Sequence, residues 1–389
     1  MPEKGTHTRA YIALAMGAFG IALTEFVIMG ILPKVAGSLQ VTIPQAGHFI
    51  AAYALGVVVG APLLTGLISR WPSRRSLLVL MGWFTIFNTL SGFADGYWTM
   101  LAVRFLSGLP HGAFFGIGAV IAARLAPEGK GAQAIAKMFS GFTIANVVGV
   151  PFGTYIGNTM HWSVSFVLVG AVGALTLAAL FFWMPAVRAA TEGETGVSPL
   201  KNRKLWALLT LTAIGTGGFF AWYSYIAPLL IDVSGHSETT VSYAMILAGI
   251  GMVVGNFIGA RMEELMGAVR AICVGMSGMS LMLLLNSYLA VYPIWVLVMC
   301  FVVGLVTFTL AAPIQIAIIQ ASFGSEMLAS SMNQSAFNIA NAIGAYVAGL
   351  PIAFGYGVVY AGRVGALLAA LGALIALWIY LYARSRKRY

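Results

Sequence analysis

The stretch YIALAMGAFGIALTEFVIMGILP, Tyr11 to Pro33, decides the fold. It is apolar apart from one carboxylate, Glu25, and it can cross a bilayer, because ~20 residues at ~1.5 Å rise match a hydrocarbon core of ~30 Å. A carboxylate at that depth faces lipid, protein or a watered cavity. Facing lipid is the costly arrangement, so an acid there points to a pathway through the protein. Pro33 has no N–H to donate and fits a helix end or a break.

The rest of the chain extends this reading. Hydrophobic residues make up 60% and charged residues 8%, against roughly 25% charged in soluble domains. The chain is an integral, multi-pass membrane protein. Twelve apolar stretches follow one another, near 11–33, 44–68, 76–94, 98–123, 137–158, 163–184, 205–231, 239–260, 269–289, 293–319, 328–352 and 360–382. The longest polar interval, Pro185 to Lys204, reads as a linker between two halves.

A net charge of +10 raises nucleic acid as a partner, but its placement gives an orientation signal instead. Basic residues sit before the first stretch (Lys4, Arg9), after the second (Arg70, Arg74, Arg75), around the fourth loop (Arg124, Lys130, Lys137), in the linker, after the eighth (Arg261, Arg270) and at the end (Arg384, Arg386, Lys387, Arg388). These are alternate loops on one side, which places both termini in the cytoplasm. Only Lys34 and Arg363 lie at the opposite ends. Cys273 and Cys300 both fall in apolar stretches and support neither a disulfide nor a metal site. The first span carries no leader-like cleavage pattern and is expected to be retained.

An internal repeat organises the two halves. Gly56-Val57-Val58-Val59-Gly60 recurs as Gly251-Met252-Val253-Val254-Gly255, Ile144-Ala145-Asn146 with Gly149 as Ile339-Ala340-Asn341 with Gly344, and Pro33 as Pro228, all 195 residues apart. Phe105 and Gly108-Leu109 recur as Phe301 and Gly304-Leu305, 196 apart. The fold class is therefore all-α: twelve transmembrane helices in two six-helix bundles, 1–184 and 205–389, joined by a cytoplasmic linker, 185–204. Small residues recur every fourth position as Gly141, Ala145, Gly149, Gly153, Gly157 and as Ala336, Ala340, Gly344, Ala348. Such ridges let helices approach closely in lipid; ordinary helix packing and an interface where the halves touch are compatible readings of them.

Residues that can carry charge well inside the spans are confined to the first half: Glu25, His48, Arg104 and His111. Glu25 and Arg104 are opposite charges in similar buried settings, expected to meet or to share a watered cavity, as a proton-coupled carrier needs; a static ion pair is the plainer alternative. His111 stands beside Pro110 and Gly112, where proline frees a carbonyl and glycine opens space, so it suits a proton relay or a hydrogen-bonded core position equally. His48 lies near the outer surface and reads as interfacial. The second half offers aromatic and amide groups as candidate substrate contacts: Trp222, Tyr223, Asn256, Gln315, Asn338 and Asn341. Phosphate-binding loops, nucleophile elbows and metal clusters are missing from the sequence, so neither an enzyme nor a cofactor is expected.

These strings resemble the major facilitator superfamily, and within it the twelve-helix drug/proton antiporters, across essentially the whole chain. Thr24 to Gly30, Tyr53 to Pro62 and Gly108 to Phe115 resemble its AraJ-like, arabinose-efflux permease branch. The resemblance implies two bundles that rock in alternating access, with the first, fourth, seventh and tenth spans lining the cavity. It implies a proton-coupling role for Arg104, with Gly108 in the same motif. Gly141, Gly149, Pro151 and Gly153 resemble the antiporter motif, with Asn146 inside it, and the usual Gly-Pro pair is here Gly149-Val150-Pro151. Gly66, Arg74 and Arg75 match the family loop after the second span, where Arg70 replaces an Asp and Ser73 a Gly.

The expected activity is efflux of a small organic molecule, a sugar or a drug-like compound, in exchange for protons across the bacterial inner membrane. The expected partners are substrate, protons and the lipid bilayer, with a monomer as the working state. An uncoupled facilitator, an importer and a non-transporting membrane sensor remain open alternatives.

Overall fold

The computed structural model describes residues 4–68, 71–127, 131–185, 202–322 and 326–386, and these are helical with no strand among them. The helices are α1 Lys4–Gly30, α2 Leu32–Ser38, α3 Ile43–Ile68, α4 Ser73–Ser91, α5 Tyr97–Leu125, α6 Gly131–Ile144, α7 Val150–Thr159 and α8 Trp162–Trp183. The series continues with α9 Arg203–Gly215, α10 Gly217–Tyr223, α11 Ile226–Pro228, α12 Glu238–Met266, α13 Ala268–Leu289, α14 Pro293–Phe308, α15 Ala311–Ala321, α16 Glu326–Ala353 and α17 Tyr360–Arg386. Among the described residues, eleven helical segments have the length and apolarity of a membrane span. The remaining expected stretch is α4, whose first turn carries Arg74 and Arg75 and whose interior holds Asn88.

The prolines fix where helices stop. α1 ends at Gly30 and α2 begins with Pro33 in its first turn, where a missing N–H costs nothing. Pro228 closes α11 in the equivalent break of the second half, and a π-helical turn, Leu229–Val233, follows it. A second π-turn, Ala145–Gly149, joins α6 to α7 just before Pro151, with the Val150 N–H returning to the Ala145 carbonyl. Pro110 sits inside the continuous α5. The carbonyl four residues before it, Leu106, accepts instead from Trp83 Nε1 on α4 at 2.8 Å.

Contacts sort the chain into two units, Met1–Val41 with Ala52–Thr191 and Thr42–Ala51 with Glu192–Tyr389. The proposed linker, 185–204, lies almost wholly outside the described residues. In the first unit α1 packs on α6, α7 and α8, while α4 packs on α5 and α8. In the second, α12 packs on α14, α13 on α17, and α10 on α16 and α17. Hydrogen bonds pin these neighbours: Ser280 Oγ donates to the Ala366 carbonyl at 2.8 Å, and the Tyr225 hydroxyl donates to the Ala345 carbonyl at 2.8 Å. In membranes each such bond is worth about 0.6 kcal/mol.

The sequence repeat is a repeat of packing. A Cβ at Gly56 would collide with the Phe105 carbonyl, at Gly60 with that of Leu109, and at Gly108 with that of Tyr53. In the second unit Gly251 meets the Phe301 carbonyl, Gly255 that of Leu305 and Gly304 that of Ala248. Each partner is the repeat equivalent of its counterpart. Backbones that close leave no room for a side chain.

The two long small-residue ridges show the ordinary helix packing that their spacing allows. Gly141 lies against the Ala15 carbonyl, Gly149 against the Phe19 ring and Gly153 against Val27 and Leu23, all on α1. Gly344 lies against Gly217, Phe220 and Ala221 of α10. These ridges pack a helix inside its own half. A four-residue spacing of small side chains specifies close approach, but not to which neighbour.

Candidate functional site

Arg104, Gly108 and His111 fall at i, i+4 and i+7 on α5, so they form one stripe of that helix. Because Gly108 lacks a Cβ, the α3 backbone at Tyr53 lies directly on this stripe. Tyr53 therefore spans both polar residues. The Arg104 guanidinium carbon is 4.4 Å from the Tyr53 ring centroid, and Tyr53 Oη is 3.1 Å from His111 Nδ1.

Arg104 is fully enclosed, as is Tyr53, and Glu25 and His111 are buried beside them. Its guanidinium lies between the rings of Tyr53 and Phe166, the latter 5.5 Å away. A desolvated cation over an aromatic face gains about 2 kcal/mol. Arg104 Nη1 donates to Thr24 Oγ1 at 2.9 Å and Nη2 to the Thr24 carbonyl at 3.3 Å. The Thr24 hydroxyl passes its own proton to Asn88 Oδ1 on α4, and Asn88 Nδ2 donates to the Phe84 carbonyl at 2.8 Å. Arg104 Nε has no hydrogen-bond partner among the described residues.

The site is thus a chain of polar groups, Asn88–Thr24–Arg104–Tyr53–His111, drawn from α4, α1, α5 and α3. Glu25 follows Thr24 on α1 and is buried like Arg104. Whatever moves Thr24 changes the setting of both charges. That is the chemical capacity of the site: a buried cation on a hydroxyl next to a buried acid, with a phenol–imidazole pair adjoining.

Of the expected coupling residues, Glu25, Arg104 and His111 all belong to this cluster. Thr24, Tyr53 and Asn88 complete it and were not singled out from the sequence. Thr24 borders Glu25 inside the same apolar run, and Asn88 is a lone amide in the third stretch. Tyr53 gives no charge signal and becomes visible only through its packing on Gly108.

The second-half candidates divide. Trp222 and Tyr223 are buried in an aromatic cluster with Phe219, which stacks on Tyr223 at 4.9 Å and lies 6.2 Å from Trp222. Trp222 Nε1 is buried without a hydrogen-bond partner among the described residues. Asn338 is buried on α16, with Nδ2 donating to the Gln334 carbonyl at 3.0 Å and Oδ1 unsatisfied. Asn341 is also buried, and Gln315 Oε1 accepts from Asn333 Nδ2 at 3.1 Å. Asn256 stands apart on an exposed face of α12.

The motif residues take structural positions. Arg74 donates to the Phe181 carbonyl and covers its ring at 5.0 Å, while Arg75 covers Trp71 at 4.7 Å. Arg70 lies outside the described residues. Gly66 lies near the end of α3 with no atom close to where a Cβ would project. Asn146 opens the π-turn's second position, buried, with Nδ2 donating to the Phe142 carbonyl at 3.0 Å. Pro151 follows that turn in the first turn of α7. His48, in the part of α3 grouped with the second unit, lies 5.7 Å from the Tyr346 ring.

Comparison with known proteins fits this architecture. The Escherichia coli (strain K12) protein named AraJ is 35% identical over 98% of this chain and 96% of its own. The chloramphenicol resistance protein of Streptomyces lividans is 29% identical over 93% of this chain and 94% of its own. The same fold occurs in a bacterial homologue of the human lysosomal transporter Spinster, solved inward-facing and unoccupied: TM-score 0.75, 14% identity, 97% of both chains covered. The model of the Major Facilitator Superfamily matches residues 14–345, so this chain belongs to that superfamily and is a membrane transporter, not an enzyme.

Proposed function

We propose that this transporter is a proton-coupled exporter of the bacterial inner membrane, working as a monomer with both termini in the cytoplasm. It exchanges inward-moving protons for an outward-moving small organic molecule. The observation that carries the reading is the enclosed Arg104, held by Thr24, whose neighbour in the chain is the buried Glu25. Glu25 takes up and releases the proton as its distance from the Arg104 charge changes. Arg104 is the modulator, and His111 relays through Tyr53.

Trp222, Tyr223 and Asn338 supply a substrate wall, with Asn341 and Gln315 near it. An indole N–H and an amide oxygen, both buried and unspent, favour a ligand carrying both an acceptor and a donor among apolar surfaces. Drug-like compounds and sugars both meet that description. The name of the Streptomyces lividans relative supports the former.

The test is proton flux in proteoliposomes under an imposed pH gradient, with lipophilic amines, neutral drug-like compounds and sugars added in turn. Antiport predicts flux stimulated by one of these classes. Substrate movement without proton movement would replace the reading by an uncoupled facilitator.

A further inference from the structure

Tyr53 and His111 meet through one edge of the imidazole and leave the other unused. Tyr53 Oη lies 3.1 Å from His111 Nδ1, and among the described residues neither side chain makes another hydrogen bond. A buried phenol with a single partner gives its proton to that partner, because turning it away would leave the O–H unpaired in an apolar setting. The hydrogen-bond network thus assigns the proton of the neutral imidazole to Nε2. In the imidazolium Nε2 is protonated as well, so this edge of His111 is a donor in either charge state.

The donor can be reached. The unpartnered Nε1 of Trp222 and Oδ1 of Asn338 are sealed from the surface, whereas His111 Nε2 is not, in a residue 3% exposed. Rings adjoin it. The His111 ring centroid is 5.3 Å from that of Phe115, which stacks on Phe139 at 5.0 Å and meets Phe142 edge-on at 6.3 Å. Phe142 in turn meets Phe26 of α1 edge-on at 5.9 Å. On α6, Gly141 packs against α1, and Lys137, Ser140 and Ile144 form the exposed stripe. Phe139 and Phe142 fall on a third face and are partly exposed there. The surface those two rings keep is therefore not the lipid-facing one.

This patch offers ring faces and one hydrogen-bond donor, the usual make-up of a small-molecule contact: mostly apolar, with a placed polar group. A ligand fitted to it brings an acceptor oxygen beside an aromatic ring. A cation would find ring faces but meet an N–H dipole pointing at it. We propose that His111 Nε2, with Phe139 and Phe142, is the substrate contact of the first half, and that it selects uncharged aromatic compounds carrying a carbonyl, nitro or hydroxyl oxygen. This rests on the transport reading and narrows its substrate class, and it asks nothing of proton coupling.

The test is equilibrium binding to the purified full chain in detergent, with no gradient imposed, so that a failure of proton coupling leaves it untouched. The probes are tritiated naphthylacetamide, neutral with a carbonyl acceptor, and as its competitor the naphthylmethylammonium ion, the same ring with a charged donor group. The parent should favour the amide by roughly fivefold, the range of one hydrogen bond. His111→Leu should erase that preference, and His111→Gln, whose Nε2 is again a donor, should keep it. Phe139→Leu should weaken both probes alike through loss of the stacking surface. Absence of amide binding, tighter binding of the ammonium by the parent, or an unchanged preference in His111→Leu would overturn the proposal. So would binding of both probes to Phe139→Leu equal to the parent, a result that does not depend on His111→Leu folding.

Discussion

The Thr24 hydroxyl accepts from Arg104 Nη1 at 2.9 Å and hands its own proton to Asn88 Oδ1. One side chain thus fixes the only fully enclosed arginine among the described residues and ties three helices, α1, α4 and α5, to a single hydrogen-bond direction. A hydroxyl has one proton to give, so the order of donation cannot reverse while Arg104 is charged.

Thr24→Val keeps the shape and removes that link. Removing a hydrogen-bond acceptor from a buried charge costs about 1.5–3 kcal/mol, and the two remaining aromatic contacts and the Thr24 carbonyl offset part of it. The expected result is a clear fall in melting temperature in detergent, with Thr24→Ser close to the parent. Asn88→Leu should cost less, since Arg104 keeps its acceptor.

Arg104→Lys should fail to replace the arginine. An ammonium lacks the planar fork that serves the Thr24 hydroxyl and carbonyl together while contacting the Tyr53 and Phe166 rings. Transport in the variant is expected to drop at least roughly tenfold, about 1.4 kcal/mol of barrier, measured as initial efflux rate at matched protein density.

The Trp83–Leu106 bond exists because Pro110 frees that carbonyl. Trp83→Phe should destabilise by about 1 kcal/mol, the net worth of such a bond. In a Pro110→Ala background residue 110 regains an N–H for Leu106, so the same substitution should cost less. A double-mutant cycle on melting temperature reads the difference.

Paired substitutions test the packing repeat. Gly56→Ala and Gly251→Ala each drive a methyl group into a backbone carbonyl, and each should cost about 1–3 kcal/mol. Gly82→Ala, where nothing lies within 4 Å of the added atom, should be neutral or slightly stabilising. Unequal effects of Gly56→Ala and Gly251→Ala would show that the two halves do not share this crossing.

Much of this was legible in the sequence for a physical reason. Charge inside an apolar run is rare and expensive, so Glu25 and Arg104 declared themselves, and the recurring glycines announced helices in close approach. What stayed hidden were partners. Tyr53 and Asn88 carry no charge and are ordinary inside spans, and only the tertiary fold brings them to Arg104 and Thr24. Pro110 and Pro151 indicated disturbed hydrogen bonding, but not that Trp83 would take the freed carbonyl or that a π-turn would absorb the other. The ridges gave the spacing of a contact but not its partner, because periodicity carries no address.

The central claim is that Glu25 is the proton site, and Glu25→Gln tests it most directly. An amide of the same size cannot exchange the proton, so the variant in proteoliposomes should still swap labelled for unlabelled substrate while losing accumulation driven by a pH gradient. Accumulation equal to the parent would contradict the account and leave Glu25 and Arg104 as a structural pair.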